Sequence, residues 1–273
     1  MSIHLHTRPF LKMHGLGNDF IIFDAREHPL ALAADDVRAL SNRRRGIGCD
    51  QLIVMKPSDR ADVFMEIWNA DGSRVGACGN ATRCIGKIML EETGRDLISI
   101  ETEAGLLSAK WDSTDISVNM GLARTAWDEI PLAREMDTLH VELTVGELSD
   151  PVCVNMGNPH AVFFVPDAEE IDLATLGPEL EHHPLFPERV NASVASVSGD
   201  TIRLRVWERG AGITEACGSA ACAVTVAASR RGLTGRKATV LLDGGPLRME
   251  WLADGTVQMA GSTTLSFTGE VAI

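Results

Sequence analysis

A five-residue pattern that occurs twice is the strongest constraint on how this chain can fold. Ala-Cys-Gly-x-Ala stands at residues 77–81 and returns at residues 216–220. A tryptophan, Trp68 or Trp207, precedes each copy at the same distance from its cysteine. All these matches share an offset of about 140 residues, roughly half of the chain. The repeat therefore predicts two similar lobes that arose by duplication.

The repeat also extends upstream of the two cysteine motifs. Gly-Asn precedes an apolar run twice, with Asn18 in the first half of the chain and Asn158 in the second. Gln51 matches Asn191 at the same offset. The duplication therefore covers much of each half and not a single short motif.

Helical and extended patterns follow one another in a similar order in both halves. One helix is predicted to begin near Cys78 and to run to Glu92, and a second spans Ser219–Ser229 and is apolar on all sides. Short strands separated by polar turns make up most of the remainder. This pattern predicts an α+β fold of two pseudo-symmetric lobes, each a mostly antiparallel sheet wrapped around a central helix.

The lobe boundary is placed where the regular pattern breaks, around residues 124–131. The first lobe is predicted to span residues 1–124 and to be joined by the C-terminal strand 264–273. The second lobe is predicted to span residues 125–263.

Three predictions of secondary structure rest on local signals. A helix should begin at Asp35-Asp36 and end with the arginines near Arg45, as the helix dipole favours. A strand is predicted near His140–Val145. A helical region is predicted from Glu169 to about His183, with a break at Gly177-Pro178.

Composition excludes several classes of protein. The net charge of -13 argues against binding to nucleic acid, for which a basic surface supplies most of the affinity. The N-terminus lacks the apolar core of a signal peptide, and no stretch has the roughly 18 apolar residues of a membrane span. Six cysteines are too few for a disulfide scaffold in 273 residues. We therefore expect a cytoplasmic protein that binds neither nucleic acid nor a membrane.

The two repeated cysteines are the main candidates for chemistry. A cysteine at the first turn of a helix lies at its positive end, which lowers the pKa of the thiol from about 8.5. The backbone N–H groups that follow are unpaired donors able to hold a carboxylate. Inversion of a stereocentre by proton transfer needs one group on each face of the carbon. Cys78 and Cys217, at the junction of two matched lobes, are suited to be that pair.

Structural interpretations compete with the catalytic ones. Four other cysteines are expected to be buried apolar residues. Five residues separate Cys78 from Cys84 and four separate Cys217 from Cys222, a spacing that argues against a zinc site. Glu208-Arg209 could face a zwitterion or form a surface ion pair. His160 could assist a cysteine or be a core histidine. No lysine lies in a setting typical of pyridoxal phosphate enzymes, and we predict neither a metal nor another cofactor.

Six motifs together resemble the diaminopimelate epimerase family over nearly the whole chain. They are M-H-G-L-G-N-D-F at 13–20, G-I-G-C-D-Q at 46–51, N-A-D-G-S at 69–73, M-G-N-P-H at 156–160, F-P-E-R-V-N-A at 186–192 and E-R-G-A-G at 208–212. The resemblance implies a cofactor-independent enzyme that interconverts LL- and meso-diaminopimelate, on the route to lysine and peptidoglycan. It also implies a homodimer.

The resemblance assigns roles to individual residues. It implies that Cys78 and Cys217 act as base and acid and exchange these roles with the direction of reaction, and that His160 aids thiol ionisation from a position behind the site. The substrate-binding residues it implies are, around the reacting carboxylate, Gly79, Asn80, Gly218 and Ser219; near the reacting amino group, Asn18, Gln51 and Glu208; and around the distal centre, Asn69, Asn158, Asn191 and Arg209.

Two other functions are weighed against this one. A racemase of another amino acid would also act on substrates without a second amino-acid end, which Arg209 and the asparagines of the distal site argue against. An amino-acid binding protein without catalysis would tolerate the loss of both thiols, and binding alone does not require two cysteines.

Overall fold

The structure, a computed structural model, describes residues 7–273. Residues 1–6 lie outside the described residues. They are part of the N-terminal stretch that is predicted not to be a signal peptide. The chain divides into two compact units. Unit 1 contains the residues up to Val118 and Gly261–Ile273, and unit 2 contains Asn119–Ala260. The changes between units fall a few residues before the predicted boundaries at 124/125 and 263/264.

Strands are more abundant than helices, and four α-helices are present in the described part. The elements that begin before the first change of unit are β1 Thr7–Gly15, β2 Asn18–Asp24, α1 Ala34–Ser41, β3 Gln51–Lys56, β4 Val63–Asn69, β5 Arg74–Val75, α2 Gly79–Thr93, β6 Leu97–Thr102, β7 Gly105–Asp112 and β8 Asp115–Leu122. The remaining elements are β9 Thr144–Val145, β10 Leu148–Ser149, β11 Val152–Asn155, β12 Pro159–Phe164, a 3-10 turn at Ala168–Glu170, α3 Leu173–Glu181, β13 Asn191–Ser198, β14 Thr201–Glu208, β15 Gly212–Ile213, α4 Gly218–Arg230, β16 Lys237–Leu242, β17 Gly245–Trp251, β18 Thr256–Gly261 and β19 Thr264–Ala272.

The duplication is visible in the hydrogen-bonding order of the strands. In unit 1, β1 to β2 is antiparallel, β2 to β3 parallel, β3 to β4 antiparallel, β4 to β6 parallel and β6 to β7 antiparallel. The strands β11, β12, β13, β14, β16 and β17 repeat this alternation in unit 2. The register is also kept, because Leu52 lies opposite Trp68 and Ala192 lies opposite Trp207. The predicted α+β class is confirmed.

Helices α2 and α4 are the central helices of the two units, as predicted. Gly94 ends α2 with φ of 65°, in the left-handed region that glycine tolerates best. Along its length α2 approaches β7 so closely that a Cβ atom at Gly86 would lie 2.4 Å from the Cβ of Ala109. Helix α4 is buried from Ala220 to Ala228 and packs against six strands of unit 2. This burial accounts for its lack of a polar face.

Helices α1 and α3 each take part in a second hydrophobic cluster of their unit. Val37 and Leu40 of α1 pack with residues such as Phe23 of β2. In unit 2, Leu173 and Leu180 of α3 belong to the corresponding cluster.

Helix α1 is shorter than predicted. It ends at Ser41, and the arginines at 43–45 lie in the turn that follows. The side chain of Asn42 accepts hydrogen bonds from the backbone N–H groups of Arg44 and Arg45, both at 2.9 Å. This local bonding replaces the helical hydrogen bonds that the charge pattern suggested.

Two predictions in unit 2 also need correction. Of the strand predicted at 140–145, only Thr144–Val145 is extended and paired. The helix predicted to break at Gly177-Pro178 continues through Pro178. The break in the predicted helical region lies earlier, between the 3-10 turn at Ala168–Glu170 and Asp172, the residue that caps α3. Gly177 serves packing, since a Cβ atom there would lie 2.4 Å from Trp207. No helix within residues 7–273 is long and apolar enough to cross a membrane.

Candidate active site

Cys78 is the residue that caps the N-terminus of helix α2. Its backbone is extended, with φ of -148° and ψ of 115°. The carbonyl oxygen of Cys78 accepts hydrogen bonds from the N–H and the hydroxyl of Thr82, at 2.9 and 2.8 Å. The sulfur lies 3.9 Å from Oδ1 of Asn18, and Nδ2 of Asn80 donates to the same oxygen at 3.1 Å. The geometry therefore brings together three of the predicted site residues.

A cluster of four charged residues lies behind Asn18. The carboxylate of Asp50 accepts a hydrogen bond from Asn18 Nδ2 at 3.1 Å. Arg43 donates to both Asp50 and Asp19, in each case at 2.7 Å from the same nitrogen. The buried ammonium of Lys12 also contacts Asp19. Although burial opposes ionisation, the hydrogen bonds from Arg43 and Lys12 hold the pKa of the Asp19 carboxyl well below its usual range.

Gln51 and Asn69 form a second polar group in unit 1. They lie opposite one another on β3 and β4, and Gln51 Nε2 donates to Asn69 Oδ1 at 3.1 Å. Asn69 Nδ2 in turn donates to the hydroxyl of Ser73 at 3.1 Å. Gln51 Oε1 is buried and has no hydrogen-bond partner among residues 7–273. It is an acceptor that a bound donor can satisfy.

Cys217 occupies the corresponding place at the start of helix α4. Its backbone is again extended, and its sulfur lies 3.5 Å from the hydroxyl of Ser219. The residue is only 5% exposed. Burial, together with the negative charge of Glu208 beside it, raises the pKa of the Cys217 thiol well above its ordinary value. The Cys217 side chain is therefore a protonated thiol near neutral pH.

The polar residues of unit 2 form a chain of hydrogen bonds at the ends of β13 and β14. Asn191 Oδ1 accepts from the backbone N–H of Arg209 at 3.0 Å, and Asn191 Nδ2 donates to the carbonyl of Pro159 at 2.9 Å. The Arg209 guanidinium donates to the carbonyl of Glu188 at 2.8 Å. Glu208 accepts a short hydrogen bond from the hydroxyl of Thr214.

His160 is fully buried on β12. Burial, and secondarily the charge of Arg209, lowers the pKa of its imidazole to about 3. The ring is therefore neutral at physiological pH and a weak base. Its Nε2 lies 2.9 Å from Oδ1 of Asn158.

The charged cluster behind Asn18 has no role predicted from the sequence. Asp19 and Asp50 lie within two of the family motifs, whereas Lys12 and Arg43 lie outside them. The membership of both aspartates in these motifs was a signal that could have pointed to the cluster. Gly79 and Gly218 are the first residues of helices α2 and α4. Within residues 7–273, no group of three or more His, Cys, Asp or Glu side chains is arranged to hold a metal ion.

Comparison with known proteins places the chain in a family. The diaminopimelate epimerase family model matches residues 10–126 and 152–266. The chain belongs to the diaminopimelate epimerase family. It is similar to the diaminopimelate epimerase of Rhodospirillum centenum, with 55% identity over 97% of this chain and 92% of that protein. The enzyme of Phenylobacterium zucineum is 53% identical, over 97% of this chain and 98% of that protein.

The fold is also shared with proteins of known structure that have low sequence identity to this chain. A hydroxyproline epimerase from Agrobacterium vitis, with bound trans-4-hydroxy-L-proline, superposes with a TM-score of 0.65. Its sequence is 15% identical, and the match covers 100% of this chain and 94% of that one. This likeness shows the fold alone. The family membership makes the chain an epimerase, as the sequence motifs predicted.

Proposed function

We propose that this enzyme interconverts LL- and meso-diaminopimelate by proton transfer between two thiols, without a cofactor. The observation that carries the proposal is that Cys78 and Cys217 both cap the N-terminus of the central helix of their unit. The membership in the diaminopimelate epimerase family supports the choice of substrate.

The proposed reaction uses one thiolate and one thiol. The thiolate removes the proton from the α-carbon, and the electron pair of the broken C–H bond passes into the carboxylate as an enediolate. The thiol on the opposite face then gives its proton to the same carbon, so that the configuration is inverted and the thiolate is now on the other side. The two cysteines exchange roles in the reverse direction.

Backbone N–H groups at the helix starts stabilise the enediolate in this proposal. The groups at Gly79 and Asn80, and those at Gly218 and Ser219, have no partner earlier in their helices. Donors placed where negative charge develops lower the barrier more than they stabilise the bound substrate. The same atoms therefore bind the substrate and promote its deprotonation.

The carboxylate of Glu208 has a second role in the proposal. It interacts with the thiol of Cys217 and favours the protonated form of that sulfur. When Cys217 acts as the base, the nearby carboxylate is the group able to take the thiol proton. Asn18, Gln51 and Glu208 are assigned to the amino group of the reacting centre.

The distal, unreacting centre of the substrate requires its own polar contacts. We assign Asn69, Asn158, Asn191 and Arg209 to it. A guanidinium is suited to hold a carboxylate, and amide groups supply both donors and acceptors. This set accounts for a preference for a substrate with two amino-acid ends.

We also propose that the enzyme is a homodimer in the cytoplasm. Its reaction would supply precursors of lysine and peptidoglycan. Leu265 and Phe267 on β19 are each 49% exposed, and this apolar surface supports self-association. Sedimentation velocity of the protein and of Phe267→Asp tests it. The dimer is disproved if the unchanged protein sediments as a monomer.

Proton NMR in heavy water is the experiment that tests the reaction. Reduced protein without added cofactor is mixed with LL-diaminopimelate. We expect loss of the α-proton signal at one centre together with appearance of the meso form. If there is no exchange, then alanine, glutamate, histidine and proline are tried in turn, and turnover of one of these would identify a different racemase. Tight binding of diaminopimelate without exchange would identify a binding protein.

A further inference from the structure

Asn18 and Asn158 hold equivalent positions in the repeat, but their side-chain amides are held from opposite ends. Nδ2 of Asn18 donates to the carboxylate of Asp50 at 3.1 Å. A carboxylate only accepts hydrogen bonds, so the NH2 group of Asn18 must be the end that faces it. The carbonyl oxygen of Asn18 is therefore fixed on the other side, towards the sulfur of Cys78 and the amide of Asn80.

Asp50 is itself held by several hydrogen bonds. One of its carboxylate oxygens accepts from Arg43 at 2.7 Å, and the other accepts from the backbone N–H of Asp19 at 3.1 Å. The backbone N–H of Asp50 donates back to the carboxylate of Asp19 at 2.9 Å. These reciprocal bonds leave little freedom for the carboxylate that orients Asn18.

His160 orients the equivalent asparagine in unit 2. Nδ1 of His160 is buried and has no hydrogen-bond partner within the described part of the chain. The single proton of the neutral ring therefore lies on Nε2, where Asn158 Oδ1 is 2.9 Å away and accepts it. The NH2 group of Asn158 is then the end that remains available.

The two orienting residues have apolar counterparts in the other unit. His160 pairs with Asn191 across β12 and β13, as Phe20 pairs with Gln51 across β2 and β3. Phe20 therefore occupies the place of His160. Asp50 precedes Gln51, and the residue before Asn191 is Val190, which is buried. Each unit thus has one orienting side chain, which holds the NH2 group of Asn18 in unit 1 and the carbonyl oxygen of Asn158 in unit 2.

We infer that Asp50 and His160 are positioning residues which make two equivalent asparagines recognise opposite groups of an amino acid. Asn18 offers a carbonyl oxygen, which suits an ammonium group, and Asn158 offers an NH2 group, which suits a carboxylate. The inference rests on the proposed function for its substrate. The orientation of Asn18 has a second effect, on Cys78, which is measured without any substrate.

The amide of Asn18 is one of the groups that should influence which form of the Cys78 side chain is favoured, because its oxygen lies 3.9 Å from the sulfur. A carbonyl oxygen accepts a hydrogen bond from a thiol and repels a thiolate, whereas an NH2 group stabilises the thiolate. Replacement of Asp50 by alanine removes the acceptor that fixes the NH2 end of Asn18 and leaves the bond from Asn80 to hold the other end. The amide can then turn more easily, so the pKa of the Cys78 thiol should fall. Loss of the negative charge of Asp50 would also lower the pKa of the Cys78 thiol. The experiment must therefore separate the loss of charge from the turning of the Asn18 amide.

Asp50→Asn separates the effect of charge from the effect of amide orientation. The oxygen facing Asn18 in Asp50 accepts from two fixed donors, Asn18 Nδ2 and the backbone N–H of Asp19. The other oxygen faces only Arg43, whose side chain is 57% exposed and can move. The amide oxygen of the new asparagine therefore takes the position that faces Asn18 Nδ2 and the backbone N–H of Asp19. The charge is lost, but the orientation of Asn18 is kept.

The test measures alkylation of Cys78 by iodoacetamide at pH 7, quantified by peptide mass spectrometry. Asp50→Ala should raise the rate by about threefold to tenfold, because more of the thiol is ionised. Asp50→Asn and the exposed control Asp59→Ala should stay close to the unchanged protein. An unchanged rate in Asp50→Ala overturns the inference, and so does an equal increase in both Asp50 variants, which would indicate charge alone.

A measurement on the unchanged protein keeps the inference testable if Asp50→Ala does not fold. The side-chain NH2 protons of Asn18 should exchange with solvent more slowly than those of a free asparagine amide, as followed by NMR of 15N-labelled protein. Equal exchange rates would show that the bond to Asp50 is absent. Because neither readout involves turnover, a failure of the proposed epimerisation would leave both results intact and distinguishable from a failure of this inference.

The second positioning residue is tested by turnover. His160→Gln retains a donor near the position of Nε2, whereas His160→Met fills a similar volume without one. We expect His160→Met to raise KM for diaminopimelate about tenfold with little change in kcat, and His160→Gln to restore much of the affinity. A fall in kcat alone in both variants would contradict a positioning role.

Discussion

Cys78 and Cys217 occupy the same place in the repeat, but their surroundings differ. Both have extended backbones at the start of a central helix. Cys78 is partly exposed and faces the amide oxygen of Asn18, whereas Cys217 is 5% exposed and lies beside the carboxylate of Glu208. The comparison teaches that duplication preserved the backbone position of the thiol, while the neighbouring side chains came to differ. The chemistry of each sulfur depends on those neighbours.

The largest expected effect tests whether both cysteines are needed. Cys78→Ala and Cys217→Ala should each lower the rate of epimerisation by about a thousandfold or more, because one face of the carbon then lacks its proton-transfer group. NMR in heavy water measures the rate, and calorimetric titration should show that diaminopimelate still binds.

Cys84→Ala and Cys222→Ala are the matched controls. Both residues are fully buried inside the central helices, so they should affect stability more than turnover. Retained epimerisation in either Cys78→Ala or Cys217→Ala would end the two-thiol mechanism.

The next effect concerns the carboxylate that distinguishes Cys217 from Cys78. Glu208→Gln keeps the shape of the side chain but removes the negative charge that raises the pKa of the Cys217 thiol. The pKa of that thiol should fall, and kcat/KM should decrease by about tenfold to a hundredfold because the proton acceptor is lost. The pH profile of the reaction measures both changes.

Glu215→Gln is the control for Glu208→Gln, since Glu215 is an exposed acid close to Cys217 in the sequence. A profile that moves equally in both variants would indicate a general charge effect. The special role of Glu208 would then be wrong.

A smaller effect separates His160 from Phe20, its apolar counterpart. Burial lowers the pKa of His160 to about 3, so the unfolded chain binds a proton that the folded protein does not. Stability is therefore lost as the pH falls below the unfolded value near 6.5, towards 3. Between pH 7 and pH 5 this term amounts to about 2 kcal/mol.

Urea unfolding at the two pH values measures this term. The difference in unfolding free energy between pH 7 and pH 5 should be about 2 kcal/mol smaller in His160→Gln than in the unchanged protein. Phe20→Leu, which alters a buried residue that does not titrate, should leave the difference unchanged. Equal pH dependence in the unchanged protein and His160→Gln would show that this histidine is not responsible.

The smallest effect compares the two tryptophans of the repeat. Arg74 lies opposite Trp68, with its guanidinium 4.1 Å from the centre of a Trp68 ring, and Ile213 lies opposite Trp207. Arg74→Ala should cost about 1 kcal/mol of unfolding free energy or more, because it removes both the cation–π contact and the ion pairs with Glu66, at 2.8 Å, and Glu103, at 3.2 Å. Ile213→Ala, at a site 41% exposed, should cost less than about 0.5 kcal/mol. Thermal melting of both variants measures these losses. A larger loss of unfolding free energy in Ile213→Ala than in Arg74→Ala would contradict the expected order.

Secondary structure was predicted well where the local signal and the tertiary contacts agree. The helix that follows Cys78 and its glycine terminator are confirmed, because the cap, the helix and the stop all lie within a short stretch. The continuous helix at Pro178 was missed. There, a proline normally ends a helix, but the packing of Gly177 against Trp207 brings α3 close to its sheet.

The sequence by itself determined the duplication, the α+β class, the family and the two cysteines at the helix starts, because repeats and helix caps are written in neighbouring residues. Only the tertiary structure decided how Asn18 and Asn158 are oriented. Of their partners, Asp50 directly precedes β3 and His160 lies on β12. The order of residues does not show which end of each amide these partners hold. The direction of a hydrogen bond depends on the three-dimensional position of donor and acceptor, and that position exists only once the sheets have formed.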